Sequence, residues 1–371
     1  MNASLDSPAE HRLRQIARAR RAVMQEGSCA TELVLDGGPE HSWIERSWRR
    51  CLANGQRPEQ RVAFDVIPAQ APSRIEEANQ VLLQAARPVL EKLGRAIVHS
   101  HYFAILTDAK GVVIDVNGPI DRGDPRARLI TRIGVDLSER AVGTTAIGAV
   151  LAELRPVWLH RGEHFFDDTS VYSCAGAPLF GPDGQCAGML DLTGIDAIER
   201  PELKHLVSQS ARNIENALAL SRPHTLVLRL NWPGRVMGSD TDGLVCLDPD
   251  GCVVSVNATA RQMISQLAAP AAAALHASDL FAMPWEMLFD AAESDGAIEA
   301  PLWTGLTLQV LARRTDDSHA AAPSTARRLP LKDLETALIR RAVDEARGNV
   351  MQAARTLGIS RATVYRKLGR K

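Results

Sequence analysis

The chain has 371 residues, more than one ordinary domain, and its 45% hydrophobic and 23% charged residues are typical of a soluble globular protein. It contains no apolar run near the ~18–20 residues that span a bilayer, and its polar N-terminus lacks the apolar core of a signal peptide. Neither a membrane protein nor an exported one is therefore expected. The six cysteines form no CxxC motif and indicate free thiols in a cytoplasmic protein.

Charge is distributed unevenly along the chain, although the formal net charge is only −1. Residues 327–371 contain twelve Lys and Arg but four Asp and Glu, which gives this segment +8 and leaves −9 for the remaining residues. A basic segment attached to an acidic body indicates a module that binds a polyanion.

Residues 1–95 are predicted to form a helical region, because their apolar residues recur at spacings of three and four. The period changes at YFAILTDAKGVVIDVNG, which predicts a hairpin. A loop entering a helix is expected at GVDLSERAVGTTAIGAVLAE, and strands at RPVWLHRGEHFF, SCAGAPLF and QCAGMLDLTG. With an amphipathic helix at 199–220, residues 96–222 are predicted to be an α+β domain around an antiparallel sheet.

A second β-rich domain is predicted over residues 226–312. Its segment GLVCLDPDGCVVSVNATA repeats the pattern of ILTDAKGVVIDVNG: an apolar strand, an Asp-x-x-Gly turn, and a second strand ending in Val-Asn. Two copies of one unit indicate two related sensor-type domains. Residues 313–328, rich in Ala, Ser, Pro and charge, are predicted to be a flexible linker.

The C-terminal residues 329–371 are predicted to be a three-helix DNA-binding module. An apolar stripe over 331–342 marks the first helix, Gly358 suits the turn after the second, and Ser360 suits the N-cap of the third. The third helix would enter the major groove, where the fork of Arg361 matches guanine O6 and N7. The other predicted DNA contacts, several of them to phosphates, come from Asn349, Gln352, Ser360, Thr363, Tyr365, Arg366 and Lys367.

At these residues, Gly348-Asn349 followed by AARTLGISRATVYRKL closely resembles the helix-turn-helix of Fis-type proteins, including that of sigma-54-dependent activators. The resemblance implies dimerisation through the first helix, so a homodimer bound to double-stranded DNA is expected. The segments SWRRC, ERAVGTTAIG, SCAGAPLF and GMLDLTG look like the sensory region of acetoin-catabolism-type activators, over about residues 41–220. That likeness implies a GAF domain with a six-stranded sheet, helices on one or both faces and a pocket for a small-molecule effector.

The second β-rich region is similar to a PAS domain. The expected fold class is therefore α+β, with a GAF-like domain, a PAS-like domain and an all-α Fis-type module in that order. The residues expected to line the effector pocket, from their positions on strands that face it, are Trp158, His164, Phe165, Tyr172 and Cys174.

Other interpretations of this region stay open. The segment VGTTAIG lacks the Lys and the spacing of a phosphate-binding loop, so its glycines are expected to let a helix start close to the sheet. The residue types of His160, His164, Cys174 and Cys186 suit zinc or iron, but core positions explain them as well, and no metal or cofactor is predicted. A redox pair of Cys174 and Cys186 is a further alternative.

Sigma-54-dependent activators usually carry an ATPase domain between sensor and helix-turn-helix, and this sequence has no Walker A motif or GAFTGA loop there. We therefore expect a transcriptional regulator without ATP-driven remodelling, which represses by occlusion or activates by touching RNA polymerase. No nucleophile–base pair indicates an enzyme. The alternative is a co-regulator or signalling adaptor that acts mainly by protein–protein contact.

Overall fold

The computed structural model describes residues 8–24, 42–64, 67–68, 70–268, 275–294, 296–315, 346, 350–356, 359, 361 and 363–364. The chain splits into two compact units, Met1–Thr315 and Asp316–Lys371. None of the helices in the described ranges combines the length and the apolar character that crossing a bilayer requires.

Helices precede the first strand, as the apolar spacing predicts. They are α1 (Pro8–Met24), α2 (Ser42–Ala53), α3 (Ala71–Ala78) and α4 (Gln80–Ala96). In α2 the apolar residues Ile44, Trp48 and Cys51, three or four positions apart, are all buried. This helix therefore packs one face against the body of the first unit.

The first sheet is antiparallel, and its strand order is β2-β1-β5-β4-β3. Its strands are β1 (Tyr102–Asp108), β2 (Val113–Asn117), β3 (Val157–His160), β4 (Tyr172–Phe180) and β5 (Cys186–Ile195). The helices α5 (Pro125–Ile130), α6 (Glu139–Val142) and α7 (Ala146–Glu153) lie between β2 and β3, and α8 (Leu203–Leu220) follows β5.

The predicted hairpin, the loop entering a helix and the closing helix are confirmed. Two expectations are wrong. Within the described residues this sheet has five strands, one fewer than the resemblance implied. The segment RPVWLHRGEHFF is a strand only as far as His160, because Arg161 has a φ of +47° and starts a short 3-10 turn.

Both faces of the first sheet are covered, and its strands alternate between two cores. In β1, Phe103 and Ile105 join a core with α2 and α7, whereas Ala104 and Leu106 join a core with α4 and α8. A period of two along each strand produces this division.

The second sheet is also antiparallel, with the order β8-β7-β6-β10-β9. Its strands are β6 (Leu226–Asn231), β7 (Gly243–Leu247), β8 (Val253–Val256), β9 (Ile298–Pro301) and β10 (Thr307–Arg314). The short helices α9 (Ala258–Met263), α10 (Ala277–Leu280) and α11 (Glu286–Ala291) lie between β8 and β9.

The predicted repeat of the Asp-x-x-Gly hairpin is confirmed in atomic detail. In each turn the aspartate, Asp108 or Asp248, accepts hydrogen bonds of 2.9–3.0 Å from the backbone N–H groups two and four residues on. The glycine, Gly111 or Gly251, has a φ of +85° or +82°, which an L side chain rarely adopts. The same turn chemistry therefore joins β1 to β2 in the first sheet and the corresponding hairpin strands in the second.

The two sheets share one neighbour order but draw the central strand from different places in the chain. In the first sheet the strand beside the hairpin is the last one, β5. In the second sheet that position belongs to β6, the first one. The second sheet is thus a circular permutation of the first, and α8 connects one central strand directly to the other.

Candidate functional site

A small cavity lies between the first sheet and the segments that carry α5, α6 and α7. Its volume is about 30 Å³. That is room for one or two water molecules. Most of its wall is apolar, and its lining residues are Phe64, Ile105, Ile130, Leu137, Val142, Thr145, Ala146, Ile147, His164, Thr169, Tyr172, Cys174, Asp191 and Thr193.

Two buried polar atoms on this wall have no hydrogen-bond partner among the described residues: His164 Nε2 and Asp191 Oδ1. The other ring nitrogen of His164 lies 2.9 Å from the carbonyl oxygen of Arg161. The other carboxyl oxygen of Asp191 accepts a short hydrogen bond from the Thr193 hydroxyl, which lies 3.5 Å from Cys174 Sγ. Because a buried polar atom without a partner is unfavourable, a ligand that reaches both atoms would satisfy them.

Burial keeps the titratable groups of this wall mostly uncharged. Desolvation lowers the pKa of His164 to about 4 and raises that of Asp191 to about 7, against the effect of its hydrogen bond with Thr193. Desolvation also raises the pKa of the Cys174 thiol well above its usual value. The wall therefore presents a neutral imidazole, a thiol and a carboxyl that is largely protonated below neutral pH, which suits a neutral guest.

The motif SWRRC on α2 holds the segment that contributes α6 and α7 to the cavity. Ser47 Oγ donates to Glu139 at 2.5 Å and lies 2.7 Å from Thr144 Oγ1. Arg50 donates two hydrogen bonds, of 2.7 and 2.8 Å, to Glu139. The two motifs singled out in the sequence are thus one interaction network next to the cavity residue Thr145.

The glycines of VGTTAIG serve close packing, but their close neighbours are α6 and the segment 165–166, whereas close approach to the sheet was expected. A Cβ on Gly148 would lie 2.8 Å from the backbone nitrogen of Glu139, and Gly143 has a φ of +67°. Thr145 caps α7 by accepting from the Gly148 N–H at 3.2 Å. These contacts place the N-terminus of α7 directly on the cavity.

Helix α1 fastens the loop that carries His164. The Arg20 guanidinium donates to the carbonyl oxygens of Gly162, His164 and Phe165 at 3.3, 2.5 and 2.9 Å, and to Asp167 at 2.6 Å. On the same helix Arg12 forms a 3.0 Å ion pair with Glu163, a buried carboxyl. The position of α1 and the position of His164 are therefore mechanically linked.

Three of the five residues predicted to contact an effector, His164, Tyr172 and Cys174, lie on the cavity wall. Trp158 lies in the core on the opposite face of the sheet, and Phe165 is buried without lining the cavity. That any of these five binds an effector stays a prediction.

Sequence reasoning missed Asp191 and Thr193. Met189, Asp191 and Thr193 occupy alternate positions of β5, and Met189 belongs to the core on the cavity side. The period of two in QCAGMLDLTG was therefore a usable signal that a carboxyl faces this core.

The metal and redox interpretations gain no support from the geometry. His160 Nδ1 lies 2.8 Å from Ser173 Oγ, and Cys186 donates to the Gly188 carbonyl oxygen at 3.3 Å. Cys186 pairs across the strands with Phe180, six residues along β4 from Cys174 and thus about 20 Å away, too far for a disulfide. Within the described ranges no cluster of three His, Cys, Asp or Glu is placed to hold a metal ion.

In the second unit, the helix Val350–Thr356 confirms the second predicted helix. Ala354 and Val364 are buried, whereas Gln352 and Arg361 are exposed and Thr363 is half-buried. The Ile359 N–H donates to the Ala354 carbonyl oxygen at 3.0 Å, within the predicted turn. The remaining predicted DNA contacts and the stripe over 331–342 lie outside the described residues: Asn349, Ser360, Tyr365, Arg366 and Lys367.

Two solved structures are similar to this chain, with TM-scores below 0.5. The E. coli DhaR(N)–DhaL complex has a TM-score of 0.43 at 16% identity and covers 74% of this chain and 99% of that chain. The GAF domain from Acinetobacter phosphoenolpyruvate-protein phosphotransferase has a TM-score of 0.25 at 17% identity, covering 42% of this chain and 99% of that chain. No statement about shared fold follows from scores at this level.

Three of the curated relatives are transcriptional regulators by name. The acetoin catabolism regulatory protein of Cupriavidus necator is 30% identical over 261 residues, 68% of this chain and 39% of that protein. The propane 2-monooxygenase operon transcriptional activator MimR of Mycolicibacterium smegmatis is 26% identical over 237 residues, 61% of this chain and 38% of that protein. The signal-transduction and transcriptional-control protein of Clostridium beijerinckii is 26% identical over 222 residues, 60% of this chain and 35% of that protein.

The chain thus spans between a third and two fifths of the length of these three relatives. Two family models also match it. The model of the bacterial regulatory proteins of the Fis family matches residues 330–370. The model of the MimR N-terminal domain matches residues 18–216, more than half of the 371 residues. The chain therefore belongs to the family that carries the MimR N-terminal domain, and it ends in a Fis-type helix-turn-helix.

Proposed function

We propose that this protein is a DNA-binding transcriptional regulator whose DNA affinity is controlled by a small neutral molecule in the first-sheet cavity. The observation that carries the proposal is the Fis-family match at 330–370, which lies on the segment with a charge of +8. Basic charge concentrated on a helix-turn-helix supports DNA as the partner. The names of the three relatives described above, which are all regulators, point the same way.

The proposed organisation follows the sequence. Residues 96–222 would be a GAF-like sensor, 226–312 a PAS-like domain, 313–328 a linker and 329–371 the DNA-binding module. The protein would act in the cytoplasm as a homodimer, because Fis-type modules pair through their first helix. Promoter activation would involve RNA polymerase, and repression would need occlusion alone.

The sensor would bind a small alcohol, ketone or aldehyde. Such a molecule has few atoms and carries no charge into the apolar wall. Its hydroxyl can donate to His164 Nε2, which is the acceptor nitrogen because Nδ1 faces the Arg161 carbonyl oxygen, and its hydroxyl or carbonyl oxygen can accept from the protonated Asp191 carboxyl. Because the cavity holds only about 30 Å³, binding requires its walls to move apart. The ligand would therefore bind more tightly to the conformation in which the walls are apart.

Regulation would proceed without ATP-driven remodelling of sigma-54 promoter complexes. The second antiparallel sheet occupies 226–314, the part of the chain where a regulator of this type would carry its ATPase domain. The proposed mechanism is therefore binding alone: the ligand shifts DNA affinity by its own difference in affinity for the two conformations.

Genome-wide mapping of binding sites, with and without candidate alcohols, ketones and aldehydes, would identify the operator. The proposal is then tested by titrating operator DNA with the protein and measuring the affinity. Deleting residues 327–371 should abolish binding. The affinity of the intact chain should fall by about 10³ between 50 and 200 mM salt. Arg361→Ala should reduce discrimination against a mismatched operator by about tenfold, whereas the exposed Arg74→Ala should not.

The ligand arm uses His164→Phe, which removes Nε2 and fills the cavity. This variant should bind operator normally yet lose its response to the effector. Retained operator binding by the deletion would refute the DNA assignment, and a normal effector response in His164→Phe would refute the sensor assignment.

A further inference from the structure

A second, larger cavity lies in the first unit, where α8 and the end of β4 face α9. Its volume is about 520 Å³. Small-molecule sites in proteins commonly measure about 300–1,000 Å³. Unlike the first-sheet cavity, this groove has room for a metabolite without any displacement of its walls.

One wall is the face of α8 that presents Ser208, Arg212 and Glu215, at spacings of four and three residues. Arg212 Nε is buried, and no acceptor for it exists among the residues that the structure describes. Glu215 attracts Arg212 electrostatically, but one of its carboxyl oxygens accepts from the Phe180 N–H at 2.8 Å, and burial raises the pKa of this carboxyl to about 7, so its charge is only partial near neutral pH. Arg212 therefore places on the groove wall a guanidinium whose charge Glu215 offsets only in part.

The remaining walls strengthen the positive character and add neutral polar groups. Arg155, on the segment before β3, lines the same groove. The second-sheet half contributes the hydroxyls of Thr241 and Thr259. Pro178 and Phe180 supply an apolar surface beside them. Two guanidinium groups, hydroxyls and a proline–aromatic surface together suit a molecule with an anionic end and a carbon skeleton.

The walls of the groove are fixed to one another by hydrogen bonds. Asn257, the N-cap of α9, donates to Asn216 of α8 at 2.7 Å, and Asn216 donates to the Asp240 carbonyl oxygen at 2.9 Å. Ser255 donates to the Ala219 carbonyl oxygen at 2.6 Å. The groove is therefore a preformed feature of the joint between the two sheets.

We propose that this groove binds a small organic anion, whose carboxylate or phosphate accepts hydrogen bonds from Arg212 and whose carbon skeleton packs on Pro178 and Phe180. The bound anion touches α8 on one side and α9 on the other, so it stabilises the joint between the two sheets. This site is chemically distinct from the first-sheet cavity, which presents a neutral wall. The proposal is independent of DNA binding.

The test measures thermal unfolding and calorimetric binding of the full-length chain with two probes, inorganic phosphate and citrate. Sodium chloride at matched ionic strength is the reference. A saturable rise of the unfolding temperature above that reference is expected with one probe or both, because a ligand that binds only the folded state stabilises it. The stronger probe identifies phosphate or carboxylate as the preferred group.

Arg212→Gln should raise the apparent Kd for that probe at least about tenfold, since a charge-assisted hydrogen bond is lost. Arg212→Lys, which keeps the charge, should restore part of the affinity. The matched control is Arg95→Gln, an exposed arginine on α4, which should bind as the wild type does. The proposal is overturned if neither probe exceeds the salt reference, or if folded Arg212→Gln binds with unchanged affinity.

Discussion

Asp191 is a fully buried carboxyl whose surroundings favour its neutral form. Desolvation raises its pKa to about 7, and one of its oxygens has no partner among the described residues. An aspartate in the unfolded chain titrates near 3.9. Between these two values the unfolded state loses its proton while the folded state keeps it. This group therefore favours folding below about pH 4 and progressively loses that effect as the pH rises to about 7.

Asp191→Asn should consequently flatten the dependence of stability on pH. Asparagine resembles the protonated carboxyl in shape and cannot ionise, so the variant should match the wild type near pH 4. By pH 8 it should be more stable than the wild type by on the order of a few kcal/mol. Chemical denaturation at a series of pH values measures this difference. The exposed Glu77→Gln should show no such trend, and a pH-independent difference for Asp191→Asn would contradict the assignment.

At the scale of elements, α1 is attached both by buried apolar residues such as Ile16 and Val23 and by the charged contacts of Arg20. Arg20 is mostly buried, with a side-chain exposure of 14%. Its guanidinium binds three backbone carbonyl oxygens of the 162–167 loop and so holds the loop against the helix. Burial alone lowers the pKa of its guanidinium, while Asp167 raises it. Because His164 belongs to that loop, a displacement of the cavity wall at His164 would also displace α1.

Arg20→Gln should release this loop. The loss of several charge-assisted hydrogen bonds should reduce stability by about 2 kcal/mol or more and accelerate amide exchange over 161–167. Hydrogen-exchange mass spectrometry checks both. Arg18→Gln, an exposed position on the same helix, is the matched control and should leave exchange unchanged. Equal exchange in the two variants would mean that α1 does not hold the loop.

Much of the secondary structure could be predicted from the sequence, because it depends on interactions between residues that are close together in the chain. The Asp-x-x-Gly turns specify their own hydrogen bonds at Asp108 and Asp248, so both hairpins could be predicted. The side of the sheet on which each side chain lies was harder to predict. All four residues of β3 are buried, and a strand that is buried on both faces does not show which face lines a cavity. Trp158 was therefore assigned to the pocket although it lies on the other face. The end of β3 depends on the φ of Arg161, which residue type alone does not indicate.

At the scale of the molecule, the first unit is organised around α8. This helix packs on the first sheet through residues such as Val207 and Ile214, and its C-terminal half is hydrogen-bonded to the second-sheet half by Asn216 and Ala219. The sequence predicted two sheets and this helix. It could not predict the permuted order or the groove, because both arise from contacts between segments far apart in the chain.

Asn216→Ala should weaken this joint. Two hydrogen bonds disappear, so amide exchange in β7 and β8 should accelerate about tenfold or more relative to the first sheet. Exchange measured strand by strand tests the prediction. Asn213→Ala, the same substitution on the same helix, is the matched control. Uniform acceleration in both sheets would show that Asn216 affects overall stability and not the joint.

The permuted strand order also decides where the first unit ends. Because β6 is central and β10 pairs with it antiparallel, Arg314 lies opposite Leu226, and the Thr315 N–H donates to the Thr225 carbonyl oxygen at 2.9 Å. Thr225 follows the end of α8 by only a few residues. A fluorescent protein fused after Thr315 would therefore be anchored beside α8. Paired with a second fluorophore on α1, it would report the proposed binding of an effector in the first-sheet cavity as an optical signal.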